Sequence, residues 1–96
     1  MIKLQGTEKQ VKWAEKIREE KMEPVYRFKE KWIAKLEKEG NQEEIDKINA
    51  IVEKLEKIYE ATKWIDIQQN MITLHFLVSP KRREETLKRM KLYNIF

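Results

Sequence analysis

The chain has no cysteine, two glycines, two prolines and one histidine among 96 residues. Without cysteine there is neither a disulfide nor a thiolate metal site, so a small secreted scaffold held by bridges is excluded and a reducing, cytoplasmic setting is expected. So few glycines and prolines leave little material for tight turns, which argues against a sandwich or barrel of many short strands. Long apolar runs are lacking too. The longest, Met71 to Val78, is interrupted by Thr73 and His75 and is far short of the roughly 20 residues a spanning helix needs. The opening MIKLQGTEKQ has no apolar stretch of the signal-peptide kind, and no membrane partner is expected.

What the chain does have is 41% apolar and 40% charged residues, a balance typical of folded helical domains and unlike that of disordered segments. Its length suits one domain, residues 1–96, ending in a basic C-terminal helix over 79–96. Net charge is +4, and its distribution is uneven: Lys81, Arg82, Arg83, Lys88, Arg89 and Lys91 stand against Glu84 and Glu85, while residues 1–78 are balanced. Attraction for an anionic partner is therefore expected in that last segment.

Thr7 with Gln10 reads as a capping box opening a first helix from about Glu8 to Met22. Pro24 is expected to end it and to start a second, Pro24 to about Glu39, with Val25, Phe28, Trp32, Ile33 and Leu36 at core spacing. Gly40 is a stop and Asn41 with Glu44 a restart, so the next helix folds back antiparallel. That helix carries Ile45, Ile48, Val52, Leu55, Tyr59 and Thr62 at alternating three and four, the strongest periodicity in the chain. If it continues past Thr62, Trp64 falls on the side opposite Leu55. Either the helix bends or ends near Ala61, or Trp64 packs on another element, or it is exposed for a partner. The fold expected is mainly α, a small helical bundle built on an antiparallel helical hairpin. For Met71 to Val78 periodicity does not separate helix from strand; helix is preferred, and a two-stranded β-ribbon of residues 2–4 with 71–78 is left open. Ser79-Pro80 reads as the start of the last helix, to about Leu92.

Chemistry-bearing groups are sparse. His75 lies inside an apolar run, where bonding to a backbone carbonyl suits it better than a catalytic dyad. The acids alternate with lysines at helical spacing, as solvated faces do. There is no glycine-rich phosphate loop, nucleophile elbow or paired-histidine helix. No enzyme activity, metal or cofactor is expected. Lys81, Arg82 and Arg83 in the first turn of a helix oppose its dipole, a local cost that hints at use elsewhere.

Leu4-Gln-Gly-Thr-Glu-Lys-Gln-Val-Lys-Trp-Ala-Glu-Lys-Ile-Arg18, with Ala61-Thr-Lys-Trp-Ile-Asp66, resembles the opening and a later element of a small bacterial and phage protein family known mainly as uncharacterised. The likeness covers about a fifth of the chain. Where that family tends to have two tryptophans followed by Asn-Arg, this chain has Lys63-Trp64 and then Ile67-Gln68. The resemblance implies an accessory product of phages, plasmids or integrated elements, a group that includes inhibitors of host defence such as anti-CRISPR proteins. The resulting expectation is a non-enzymatic protein-binding module whose partner is a bacterial protein or nucleoprotein complex. Lys81, Arg82, Arg83, Lys88 and Arg89 would attract it and Trp64 would anchor it. A direct nucleic-acid binder or small regulator using the same basic tail is the alternative; oligomeric state is left open.

Overall fold

A computed structural model describes residues 3–96. Four α-helices and one 3₁₀ helix follow in order: α1 (Glu8–Glu39), α2 (Gln42–Glu56), α3 (Ala61–Gln69), the 3₁₀ helix Leu74–Val78, and α4 (Arg83–Leu92). There is no strand among the described residues. The bundle is mainly α and its first two helices form the antiparallel hairpin.

The Thr7 hydroxyl accepts from the Gln10 amide while the Gln10 side chain accepts from Thr7 N–H, so the capping box forms as its residues dictate. Pro24 does not end the helix. α1 runs unbroken through it for 32 residues, about 48 Å at 1.5 Å per residue, which sets the 45 Å long axis of the molecule. A proline inside a helix costs about 3 kcal/mol, because it has no amide for the carbonyl four residues back and its ring crowds that carbonyl. Packing outweighs this: Ala14, Ile17, Met22, Val25 and Leu36 are buried on one side without a phase slip at residue 24, each large side chain contributing about 1.5–3 kcal/mol.

Gly40 takes a left-handed φ of 70° and Asn41 N–H donates to the Leu36 carbonyl, after which the Asn41 side chain accepts from Glu44 N–H. The chain thus reverses within two residues, and Ile45, Ile48, Val52 and Leu55 of α2 enter the core.

α2 ends at Glu56, earlier than its periodicity predicts. The reason lies far away in sequence: Gln5 donates to the Tyr59 carbonyl at 2.7 Å and accepts from Ala61 N–H at 2.8 Å, holding Glu60 between them extended. Gly6, at φ 152°, makes this approach; a Cβ there would sit 3.1 Å from Ala61 Cβ. The two segments that carry the family resemblance therefore meet in one joint.

The ribbon of residues 2–4 with 71–78 is not formed. Residue 2 lies outside the described residues; beyond it, Gln5 is paired with residues 59–61 and Leu74–Val78 is 3₁₀. The i, i+3 register of a 3₁₀ helix aligns Leu74 with Leu77, and both are buried with Val78 between α1 and α4. α4 begins at Arg83, so Ser79 and Pro80 belong to the preceding turn, where the Ser79 carbonyl accepts from Arg82 and Arg83 N–H. After α4, Asn94 at φ 61° turns the chain so that Ile95 N–H reaches the Met90 carbonyl at 2.8 Å. Ile95 is buried, and Phe96 lies under Lys54 of α2.

Candidate interaction surface

Two residues expected at a partner face are inside the molecule. Trp64 is fully buried, because the new helix begun at Ala61 turns it toward α1, and its indole N–H donates to the Ile58 carbonyl at 3.0 Å. Arg83 is buried too. Its Nε donates to the Leu77 carbonyl at 2.8 Å and its Nη2 to Glu44 Oε1, an ion pair with side chains 11% and 15% exposed that ties α4 to the start of α2. Neither is available as an anchor.

Lys81, Arg82, Lys88 and Arg89, with Lys91, are exposed, and among the described residues none of them pairs with a carboxylate. Two are partly engaged: Arg89 donates to the Asn70 carbonyl and Arg82 lies 4.6 Å over the Phe76 ring. The cost inferred for three cations in a first turn is reduced: Lys81 and Arg82 precede α4, Arg83 at its first position is paired with Glu44, and the helix otherwise has Glu84 and Glu85 in its first turn and Arg89 and Lys91 in its last, the order its dipole favours. Leu92 and Tyr93 add exposed apolar surface at this end, as does Met71, beside the Asn70 carbonyl that Arg89 holds.

The unbroken α1 brings together residues that two separate helices would not. At about 100° per residue, Lys9, Lys16, Arg27, Lys31, Lys35 and Lys38 fall on one flank of its buried side, with Glu20 as the acid among them. The opposite flank carries Glu8, Glu15, Glu19, Glu23, Glu30 and Glu37, with Lys12. Contacts fix which flank faces what. Tyr26, on the acidic flank, donates to Glu56 of α2 at 2.7 Å. Phe28, toward the basic flank, stacks on His75 of the 3₁₀ helix with centroids 4.7 Å apart.

The acidic flank borders a cleft of about 1080 Å³ between α1 and the end of α2. There burial, with the hydrogen bond to Glu56, pushes the Tyr26 phenol up to about 12, so Tyr26 stays protonated and clasps the two helices. On the other flank, His75 also meets Phe76 edge-on at 4.8 Å, and Arg27 lies 5.9 Å over Phe28. Arg27, Phe28, His75, Phe76 and Arg82 thus form a ladder of rings closed by a guanidinium at each end. Burial, then Arg27 and Lys21, hold the His75 imidazole below its usual range. It is half-buried by ring stacking, and among the described residues it is not bonded to a backbone carbonyl. Among the described residues no group of three His, Asp or Glu side chains is placed to hold a metal ion.

The sequence reading missed this basic flank because it ended the helix at Pro24, which severs Lys9 and Lys16 from Arg27 to Lys38. One helical wheel drawn through the proline finds it. Comparison with known proteins returned no matching family model, no similar curated protein and no similar solved structure.

Proposed function

We propose that this chain is a non-enzymatic binding module that attaches to an anionic face of a protein or nucleoprotein complex through its C-terminal segment. The observation that carries the reading is the set Lys81, Arg82, Lys88, Arg89 and Lys91, exposed and without carboxylate partners among the described residues, beside the exposed Leu92, Tyr93 and Met71. Cations around apolar side chains suit a protein interface, in which the charges steer the encounter and the apolar groups slow dissociation. The narrower setting, an inhibitor of a host-defence nucleoprotein complex carried by a mobile element, rests on the resemblance of residues 4–18 and 61–66. Trp64 and Arg83 leave the proposed site; they maintain the fold beneath it.

The test is capture from nuclease-treated bacterial lysate by the tagged chain, compared with a C-terminal triple variant, Lys81→Gln, Lys88→Gln and Lys91→Gln. These side chains are exposed and are not members of the buried Arg83–Glu44 pair, so the fold is expected to be unchanged. A discrete protein set held by the native chain and released by the triple variant supports the reading. An identical set on both, or none after nuclease, overturns it.

A further inference from the structure

The basic flank of α1 is a second surface, on a different helix, and it is built differently from the C-terminal segment. Arg27, Lys31, Lys35 and Lys38 follow one another at four, four and three residues, which spaces them about 4.5–6 Å apart along the helix axis. Lys9 and Lys16 continue the row toward the other end of the helix. All six are exposed. Among the described residues, Arg27 is the one of the six with a carboxylate in range, Glu23 at 3.5 Å, with both side chains more than half exposed; such a pair contributes little and yields readily. On a helical wheel Glu23 borders the row, while the other five glutamates of the acidic flank lie further round, on the side of Tyr26. A helix with one basic flank and one acidic flank orients itself in the field of a polyanion and approaches it basic side first.

We propose that this flank, together with Lys21 and Arg82 beside the ring ladder, binds the phosphate backbone of a nucleic-acid duplex without reading its sequence. Two observations select a duplex. The row lies on one unbroken helix of 32 residues in a molecule 45 Å long, and a duplex, which presents a phosphate on each strand about every 3.4 Å, offers a continuous face of about 13 base pairs over that span. A single strand is held by stacking its bases on successive open rings. Here those faces are occupied: Phe28 by His75, Phe76 by Arg82 and Trp32 by Lys35 at 5.1 Å, leaving Trp13 as a lone half-exposed ring on this flank. The surface offers charge and no row of base platforms, and charge alone confers affinity without sequence preference. This goes beyond the C-terminal reading, and each can fail without the other.

The experiment is fluorescence anisotropy with a labelled mixed-sequence duplex of about 18 base pairs, titrated at several salt concentrations. Three proteins are compared: the native chain, an α1 variant (Lys31→Gln, Lys35→Gln, Lys38→Gln) and the C-terminal triple variant. The last two lose the same charge, so any difference between them reports position. Binding by the native chain should weaken linearly in log salt; the α1 variant should bind at least about tenfold more weakly, with a slope shallower by about 2–3. The C-terminal variant should stay within about threefold of native. Unchanged circular dichroism of the variants secures the comparison. Equal losses in the two variants would reduce the effect to net charge and overturn the proposal, as would a native chain that does not bind. Tighter binding to a single strand of the same length would overturn the duplex assignment.

Discussion

The C-terminal segment, residues 79–96, and α1 hold their cations in opposite ways. Residues 79–96 carry the whole of the +4 net charge, yet part of it is spent on structure: Arg83 is buried against Glu44, Arg89 holds the Asn70 carbonyl and Arg82 covers Phe76. In α1 ten Lys and Arg stand against eight Glu, a near balance that resembles an ordinary solvated helix, and folding sorts most of them onto two flanks. A charge sum along the chain says little about the field a partner meets. What matters is which charges share a face and which are consumed inside.

The largest test of this contrast is at Trp64. Trp64→Ala should lower the unfolding free energy by about 3–5 kcal/mol in urea titration, because it empties a large core site and leaves the Ile58 carbonyl without its donor. An exposed anchor would cost less than about 0.5 kcal/mol. Arg83→Met comes next. Removing one partner of a buried pair strands the other, so a loss of about 3 kcal/mol is expected, and most of it should return when Glu44→Met is added. Lys31→Gln and Lys88→Gln, one from each exposed set, should leave stability within about 0.5 kcal/mol. If Arg83→Met behaved like them, its side chain would belong to the surface set and the C-terminal segment would have regained a cation.

A smaller effect of opposite sign tests the continuity of α1, on which the basic row depends. Pro24→Ala should raise stability by about 1–2 kcal/mol, since it restores an amide donor for the Glu20 carbonyl within an unbroken helix and gives up only a half-buried ring. At a true helix boundary the same substitution would be neutral or harmful. A neutral result in urea titration would therefore put Lys9 and Lys16 on a different axis from Lys31, Lys35 and Lys38.

Signals confined to a few neighbouring residues were legible in the sequence. Thr7 with Gln10, and Gly40 with Asn41 and Glu44, act within four residues, and they form the caps they encode. The stripe Ile45, Ile48, Val52, Leu55 was equally plain. What escaped was set by distant partners. The break at Lys57 to Glu60 contains neither glycine nor proline; it is made by Gln5, 54 residues before Tyr59. Arg83 finds Glu44 from 39 positions away, so a cation that reads as surface is core. Pro24 misled in the other direction: its local preference is strong, and the burial of Met22 and Val25 on either side of it overrides that preference. Because the candidate site on α1 depends on that override, it was hidden together with it. The exposed lysines of the C-terminal segment, by contrast, were readable from charge counts alone, and only their buried neighbours were misassigned.

The finest comparison uses His75, which sits where the two regions meet. Burial and the cations Arg27 and Lys21 hold its imidazole below the usual value of 6.5; Arg82 stands at the far end of the same ladder, and Glu20 lines the small pocket beside the ring. In the free protein the folded state therefore binds the proton less readily than the unfolded chain does. Its contribution to stability is complete above about pH 6.5 and is lost as the pH falls through the lowered folded value, and His75→Gln should flatten that part of the stability profile. A duplex bound along α1 would bring phosphates among Lys21, Arg27 and Arg82, offset the repulsion those cations exert on a second positive charge, and raise the imidazole's affinity for a proton. Titrating the His75 ring resonances by NMR with and without duplex should show the midpoint moving to higher pH on binding, and the α1 variant should abolish the movement at subsaturating duplex. A midpoint that stays fixed at saturation would place the phosphates elsewhere and separate the ladder from the row of lysines it adjoins.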